Sequence, residues 1–406
     1  MSSLTKKIVI AASALILVYV TTGYVRARSS NDQAFRALTV YSEVLNHVQR
    51  DYVDDPNMRQ VTSGALHGLV DSLDPQSGYL SPLEYNDFKD KSASRAKGAT
   101  GLALTKRFGY IAIVSVLPDS PAQKAGLHFG DILEKIAGFT TSQMAIDQAQ
   151  LLLSGEPGTV VKISAIRRGK TEPQEMELTL AKLPAGKLVE TRLQGDIAYL
   201  RVPEFDPGMS KQVHDKLVQF SQEGAHKLIL DLRDCALGDA QEGIATAQLF
   251  LSSGTITTLK GQTVTTETAS ANPAKVVWSQ PVTVLIGNST AGPAEIVASA
   301  IADNHRGETV GDRTYGTASM QKLLPLDDGA ALILTVANYY TPAGKEIPAD
   351  GVAPSVEVKP AAEDYAQLTQ PGPPPPPPGQ VVSADDPVLK KAIEILQDAG
   401  AERKAA

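Results

Sequence analysis

The chain has 406 residues, 42% of them hydrophobic and 20% charged, enough for two or three domains with ordinary cores. Its formal charge of -7, with both signs interspersed, excludes the electrostatic footprint of a nucleic-acid binder. Six scattered histidines and a single cysteine, Cys235, exclude a Cys/His zinc spacing and an intramolecular disulfide, and no cofactor motif is present.

Lys6 and Lys7 precede an uncharged run over residues 8–25, which Arg26 and Arg28 follow. The run is near the minimum length for a membrane span and lacks an Ala-x-Ala-like cleavage site, so a retained signal anchor is expected over 1–28. A cleaved signal peptide is the alternative. No second span follows. Residues 34–50 bring Leu38, Tyr41, Leu45 and Val48 to one stripe of a helix. Residues 58–73 repeat the pattern and stop at Asp74-Pro75. Ser81-Pro82-Leu83-Glu84 then opens a short helix with N-cap, N1 proline and N3 glutamate in order.

From 97 to 183 the pattern becomes strand-rich. Strands are expected over 110–116, 132–136, 160–166 and 175–180, with short helices starting at Ser120-Pro121 and at Ile146. From 184 to 360 strands and helices alternate. Residues 227–232 and 282–286 are nearly continuous apolar runs, as in strands buried on both faces. The order implies an α/β core with a mainly parallel or mixed sheet. Ligands of such sheets lie at the carboxyl ends of the strands, which singles out the loops 234–239 and 287–293. A proline run at 373–378 marks 361–385 as a semi-rigid spacer before a C-terminal helix and tail over 386–406.

Three sets of motifs resemble the carboxyl-terminal processing peptidases, the tail-specific Ser-Lys serine proteases that carry a PDZ domain. "GALHGLVDSLDPQSGYLSPLEYNDF" is similar to their N-terminal helical region. "GLALTKR" and "DSPAQKAGLHFGDILEKIAG" are similar to their PDZ domain. "LILDLRD", "STAGPAEIVASAIADN", "ETVGDRTYGTASMQ" and "ALILTVANYYTPAGKEI" follow their peptidase domain. The resemblance implies a multidomain α/β and α+β protein. It would comprise a helical region (29–96), a PDZ-like β-rich domain (97–183) and a peptidase-like α/β core (184–360) with a mixed sheet.

The resemblance also implies where the chemistry would sit, and there the sequence departs from the pattern. The family serine, three residues before a glutamate, corresponds to Gly292 of Thr290-Ala291-Gly292-Pro293-Ala294-Glu295. The family lysine corresponds to Thr317, and its glutamine to Gln321. In the oxyanion loop Leu237 stands for a glycine and Gly238 remains. A Ser-Lys peptidase needs a nucleophile, an amine of lowered pKa as general base, and N–H donors for the oxyanion. Gly292 cannot attack and Thr317 is no base. Ser289 and Ser319 lie too far along the chain to substitute, Lys322 would point to the opposite face of a strand, Asp303 and His305 read as a solvated helix terminus, and Cys235 is the remaining alternative nucleophile.

The expectation is therefore a catalytically inactive homologue that binds protein C-termini, unfolded proteins or a partner protein. It would be anchored in the cytoplasmic membrane at the cell envelope, with its domains on the extracytoplasmic side. An endopeptidase with a non-standard nucleophile is the alternative. Peptide binding by strand addition would use Gly101, Leu102, Ala103 and Leu104, flanked by Ile146 and Ala149.

Overall fold

A computed structural model describes residues 35–93, 98–142, 144–183, 186–358 and 385–405. The expected anchor at 8–25 and the proline run lie outside these residues. Among the described residues no helix is long and apolar enough to cross a membrane. The chain divides into two units, residues 1–65 and 66–406. In the first, residues 35–51 form a helix whose stripe residues Leu38 and Tyr41 are exposed, with Leu45 and Val48 half-buried. The boundary falls within a second helix, Met58–Asp71.

The second unit holds the rest. Before the helix Pro82–Ala93 the expected capping box is present: the Ser81 N–H donates to Glu84 at 2.8 Å and the Glu84 N–H to Ser81 Oγ at 3.4 Å. The PDZ-like part is an antiparallel sheet of Leu102–Arg107, Tyr110–Val116, Ile132–Ile136, Val160–Ile166 and Pro173–Thr179, in that order, with Phe139–Thr140 added to Ile132–Ile136. Leu102–Arg107 is an edge strand, and the helix Ile146–Leu152 packs against it. Ser120 caps the helix Pro121–Lys124 by accepting the Gln123 N–H at 3.2 Å. Gly101 crosses this turn at φ +81°, and a Cβ there would lie 2.4 Å from Ser120 Cβ, so only glycine fits.

The α/β part is a six-stranded sheet. Its order is Val189–Arg192, Ile197–Arg201, Lys227–Asp231, Val282–Ile286, Glu308–Gly311 and Val356–Glu357, with only the first pair antiparallel. Strand alternation splits its apolar residues between two cores. Leu228, Leu230, Val284 and Ile286 pack with Val213, Leu217, Ile296 and Val297 of the helices Met209–Gln222 and Pro293–Asp303. Ile197, Tyr199, Ile229 and Leu285 pack on the other face with Val388, Leu389, Ala392 and Leu396 of the C-terminal helix Pro387–Ala405. The apolar run 227–232 has this cause: both faces are covered.

The strand Ala331–Tyr340 does not join this sheet. It forms a separate antiparallel sheet with Gly78–Leu80, Thr255–Lys260, Glu267–Ser270 and Ser319–Pro325. The short strand Gly78–Leu80, not anticipated from the sequence, pairs with it through Gly78 and Ile333.

Candidate functional site

Two strand-end loops build the site. The first leaves Lys227–Asp231 through Arg233. Asp231 is fully buried and takes the Tyr199 hydroxyl at 2.6 Å and the Arg233 guanidinium at 2.6 Å. Burial opposes its charge, but Arg233, Arg201 and the Tyr199 hydroxyl together hold its carboxyl below the usual carboxylate range. Asp234 follows in the left-handed region at φ 58°. Its carboxylate accepts Ser289 Oγ–H at 2.6 Å and Arg201 at 2.8 Å, and its carbonyl accepts Ser115 Oγ–H from the PDZ-like sheet at 2.5 Å.

The loop then pairs with Phe205. The Phe205 N–H donates to the Leu237 carbonyl at 2.8 Å and the Asp239 N–H to the Phe205 carbonyl at 2.9 Å. Gly238 lies between them at φ +117°, where a Cβ would be 2.3 Å from the Phe205 carbonyl carbon. Positive φ thus falls on Asp234 and Gly238 and not on Leu237, so leucine at the position expected to strain the loop is accommodated.

The second loop leaves Val282–Ile286. Thr290 ties it to the first: its Oγ1 accepts the Gly287 N–H at 3.0 Å and donates to the Leu232 carbonyl at 2.9 Å. The Ala291 N–H donates to the Cys235 carbonyl at 2.9 Å. Gly292 turns the chain at φ 58°, ψ -122°, and Pro293 opens the helix Pro293–Asp303. A sharp strand-to-helix turn of this kind is what exposes a nucleophile in hydrolases. A Cβ at Gly292 would stand 3.7 Å from the Ala236 carbonyl oxygen and 4.0 Å from Thr317 Oγ1. The two positions that the resemblance matches to serine and lysine are therefore adjacent, and a Cβ at Gly292 would meet its neighbours at ordinary contact distance.

Glu295 joins these segments. Fully buried, its carboxylate accepts the N–H groups of Gly292 at 2.9 Å, Gly316 at 2.6 Å and Thr317 at 2.8 Å, and the Thr314 hydroxyl at 2.5 Å. Burial raises its pKa and these four donors oppose the rise. In the sequence Glu295 stands out only as a motif position. A carboxylate at N3, followed by a mostly apolar run up to Ala302, was the signal available.

The alternative candidates sit in different surroundings. Cys235 is fully buried, and burial, with Glu204 next in weight, pushes its thiol well up. Ser289 Oγ donates to Asp234, and Ser319 Oγ donates to the Thr317 carbonyl at 3.1 Å. Lys322 is exposed on Ser319–Pro325, and Asp303 accepts the Ala343 N–H at 2.9 Å at the far end of its helix, beside exposed His305. Gln321 Nε2 donates to Ser319 Oγ at 2.8 Å.

Gly292, Pro293, Leu237, Gly238, Thr317 and Gln321 line one cavity of about 420 Å³. Ala103, Leu104 and Ile146 of the expected peptide groove line the same cavity. Leu102, Leu104, Ile146 and Ala149 belong to the PDZ-like core, whereas Ala103 faces the other way, in a cluster with Val114 and Ala291.

Fold and site together define a mainly parallel α/β domain with a hydrolase-type strand-to-helix turn at Gly292, joined to a PDZ-like domain. Residues 196–358 match the model of peptidase family S41, and residues 113–167 match a PDZ domain. The chain is 30% identical over 341 residues to the carboxyl-terminal-processing protease of Synechocystis sp., covering 81% of this chain and 80% of that one. It is 29% identical over 344 residues to the carboxy-terminal-processing protease of Bartonella bacilliformis, covering 83% and 79%. Among solved structures, the photosystem II D1 C-terminal processing protease superposes with a TM-score of 0.65 at 24% identity, covering 80% of this chain and 93% of that one. The chain belongs to the carboxyl-terminal-processing protease family.

Proposed function

We propose that this chain is a non-cleaving member of its family that captures protein C-termini at the cell envelope, held to the cytoplasmic membrane by residues 8–25. The observation that carries the reading is the adjacency of Gly292 and Thr317, which puts neither a nucleophile nor a base where the family resemblance expects them. Oxyanion support is reduced as well. Pro293 has no N–H, and the Gly292 N–H is committed to Glu295. The recognition parts are kept: an edge strand, a helix beside it and a glycine turn at Gly101.

The test is incubation of the purified full chain with unfolded proteins bearing apolar C-termini. No cleavage is expected. Turnover that disappears in Cys235→Ala or Ser289→Ala would overturn the reading in favour of an endopeptidase with a non-standard nucleophile. Membrane attachment is tested by the N-terminus of the mature protein. A soluble form starting near Arg28 would show a cleaved signal instead.

A further inference from the structure

We infer that a proton-controlled catch holds the joint between the PDZ-like and α/β domains: neutral Glu204 seats the chain at Gly186, and loss of its proton frees residues 186–188. The inference stands whether or not the chain cleaves.

Three observations carry it. First, the contact is tight. Gly186 is buried, and a Cβ there would lie 2.5 Å from Glu204 Oε1 and 2.7 Å from its Cγ. The Glu204 side chain thus fills the space that a side chain at 186 would need. Glu204 is itself only 4% exposed, so it cannot swing aside without opening the joint. Two residues beyond Gly186, Leu188 packs against the α/β core. Second, no cation offsets a charge at Glu204. The titratable groups that act with it are Asp206 in its own loop and the fully buried Cys235 thiol in the loop after Lys227–Asp231. Lys187, on the seated segment, is exposed, and so is Lys182, which shares a cavity wall with Asp206. Among the described residues neither lysine pairs with Glu204.

The balance at this carboxyl fixes the sign. Burial first, then the charge of Asp206, raises it to about 7, and the hydrogen bond from the Gly186 backbone, which favours the charged form, is outweighed. With the joint closed the group is therefore neutral below about 7 and ionises as pH rises through that value. An ionised Glu204 regains water only by leaving its seat, which unseats Gly186. Third, the catch adjoins the site. The next residue, Phe205, makes backbone bonds to both Leu237 and Asp239, with Gly238 packed on it. Leu237 and Gly238 line the cavity at Gly292, so a displaced Glu204 pulls on a segment that holds the cavity wall.

The test is limited trypsin cleavage of the detergent-solubilised full chain at Lys187, read by mass spectrometry. Cleavage at Lys170, exposed in the turn after Val160–Ile166, serves as the internal reference at each pH. Between about pH 6 and about pH 8 the Lys187/Lys170 ratio is expected to rise about tenfold, following the ionised fraction of Glu204. Glu204→Gln, which keeps the shape without the charge, should hold the ratio low at both pH values. Gly186→Ala, whose Cβ displaces the carboxyl, should give the high ratio already at about pH 6. A ratio that stays flat with pH in the parent chain, or a rise that Glu204→Gln retains, would overturn the catch. A low ratio in Gly186→Ala at the acid end would overturn the seat at Gly186.

Discussion

Glu295 holds Thr317 by its backbone: the Thr317 N–H donates to the Glu295 carboxylate at 2.8 Å, so the position is fixed whatever side chain it carries. The same carboxylate fixes Gly292 at 2.9 Å. One carboxylate thus fixes the backbone at both positions that the resemblance matches to the family's serine and lysine.

Glu295→Ala should be among the most destabilising single changes in the α/β part. It strands three backbone N–H groups and the Thr314 hydroxyl in the interior. Each uncompensated buried donor costs about 1–3 kcal/mol, so a loss above about 3 kcal/mol is expected in denaturant titrations. A loss under about 1 kcal/mol would show that the two loops hold without it.

Restoring Gly292→Ser with Thr317→Lys should not restore cleavage. A residue with a side chain at φ 58° carries about 1–3 kcal/mol of strain, and Pro293 still supplies no N–H. Adding Pro293→Ala is the change expected to bring back labelling by a serine-directed fluorophosphonate. Labelling of the double variant at the triple variant's rate would show that the proline is irrelevant to the oxyanion.

Glu204 predicts a pH dependence. It is buried beside Gly186, and burial, then the charge of Asp206, pushes its carboxyl up to about 7. A folded-state pKa above the unfolded value favours the neutral acid in the fold. Its contribution to stability is therefore full below the unfolded carboxyl range and is lost as pH rises through about 7. Glu204→Gln should remove this part of the slope and raise Tm relative to the parent at pH 8, with little change at pH 5. An unchanged slope between those pH values would refute the assignment.

Asp386 predicts a local effect. Its Oδ1 accepts the N–H groups of Val388 and Leu389 at 3.0 and 3.1 Å, and its Oδ2 pairs with Arg233 at 2.6 Å. Asp386→Ala removes both a cap and an ion-pair partner, a cost of about 1–3 kcal/mol. Faster amide exchange confined to the start of Pro387–Ala405 is the expected readout. Uniform acceleration across the sheet would show that the contact serves global stability instead.

The local pattern was sufficient for much of this molecule. Alternation, capping signals and apolar runs are short-range consequences of strand and helix geometry. They marked the Ser81–Glu84 capping box, the Ser120-Pro121 helix start and the doubly covered strands Lys227–Asp231 and Val282–Ile286. The absence of a side chain at Gly292 and of an amine at Thr317 is likewise a property of the sequence itself. Tertiary structure decided what depends on pairing across long separations. Only folding brings Gly292 against Thr317, makes Glu295 their common acceptor, and turns Ala103 toward Ala291 so that groove and cavity meet. It also sends Ala331–Tyr340 to a sheet with Gly78–Leu80, because strand partners are chosen by complementary buried faces, which no window along the chain contains.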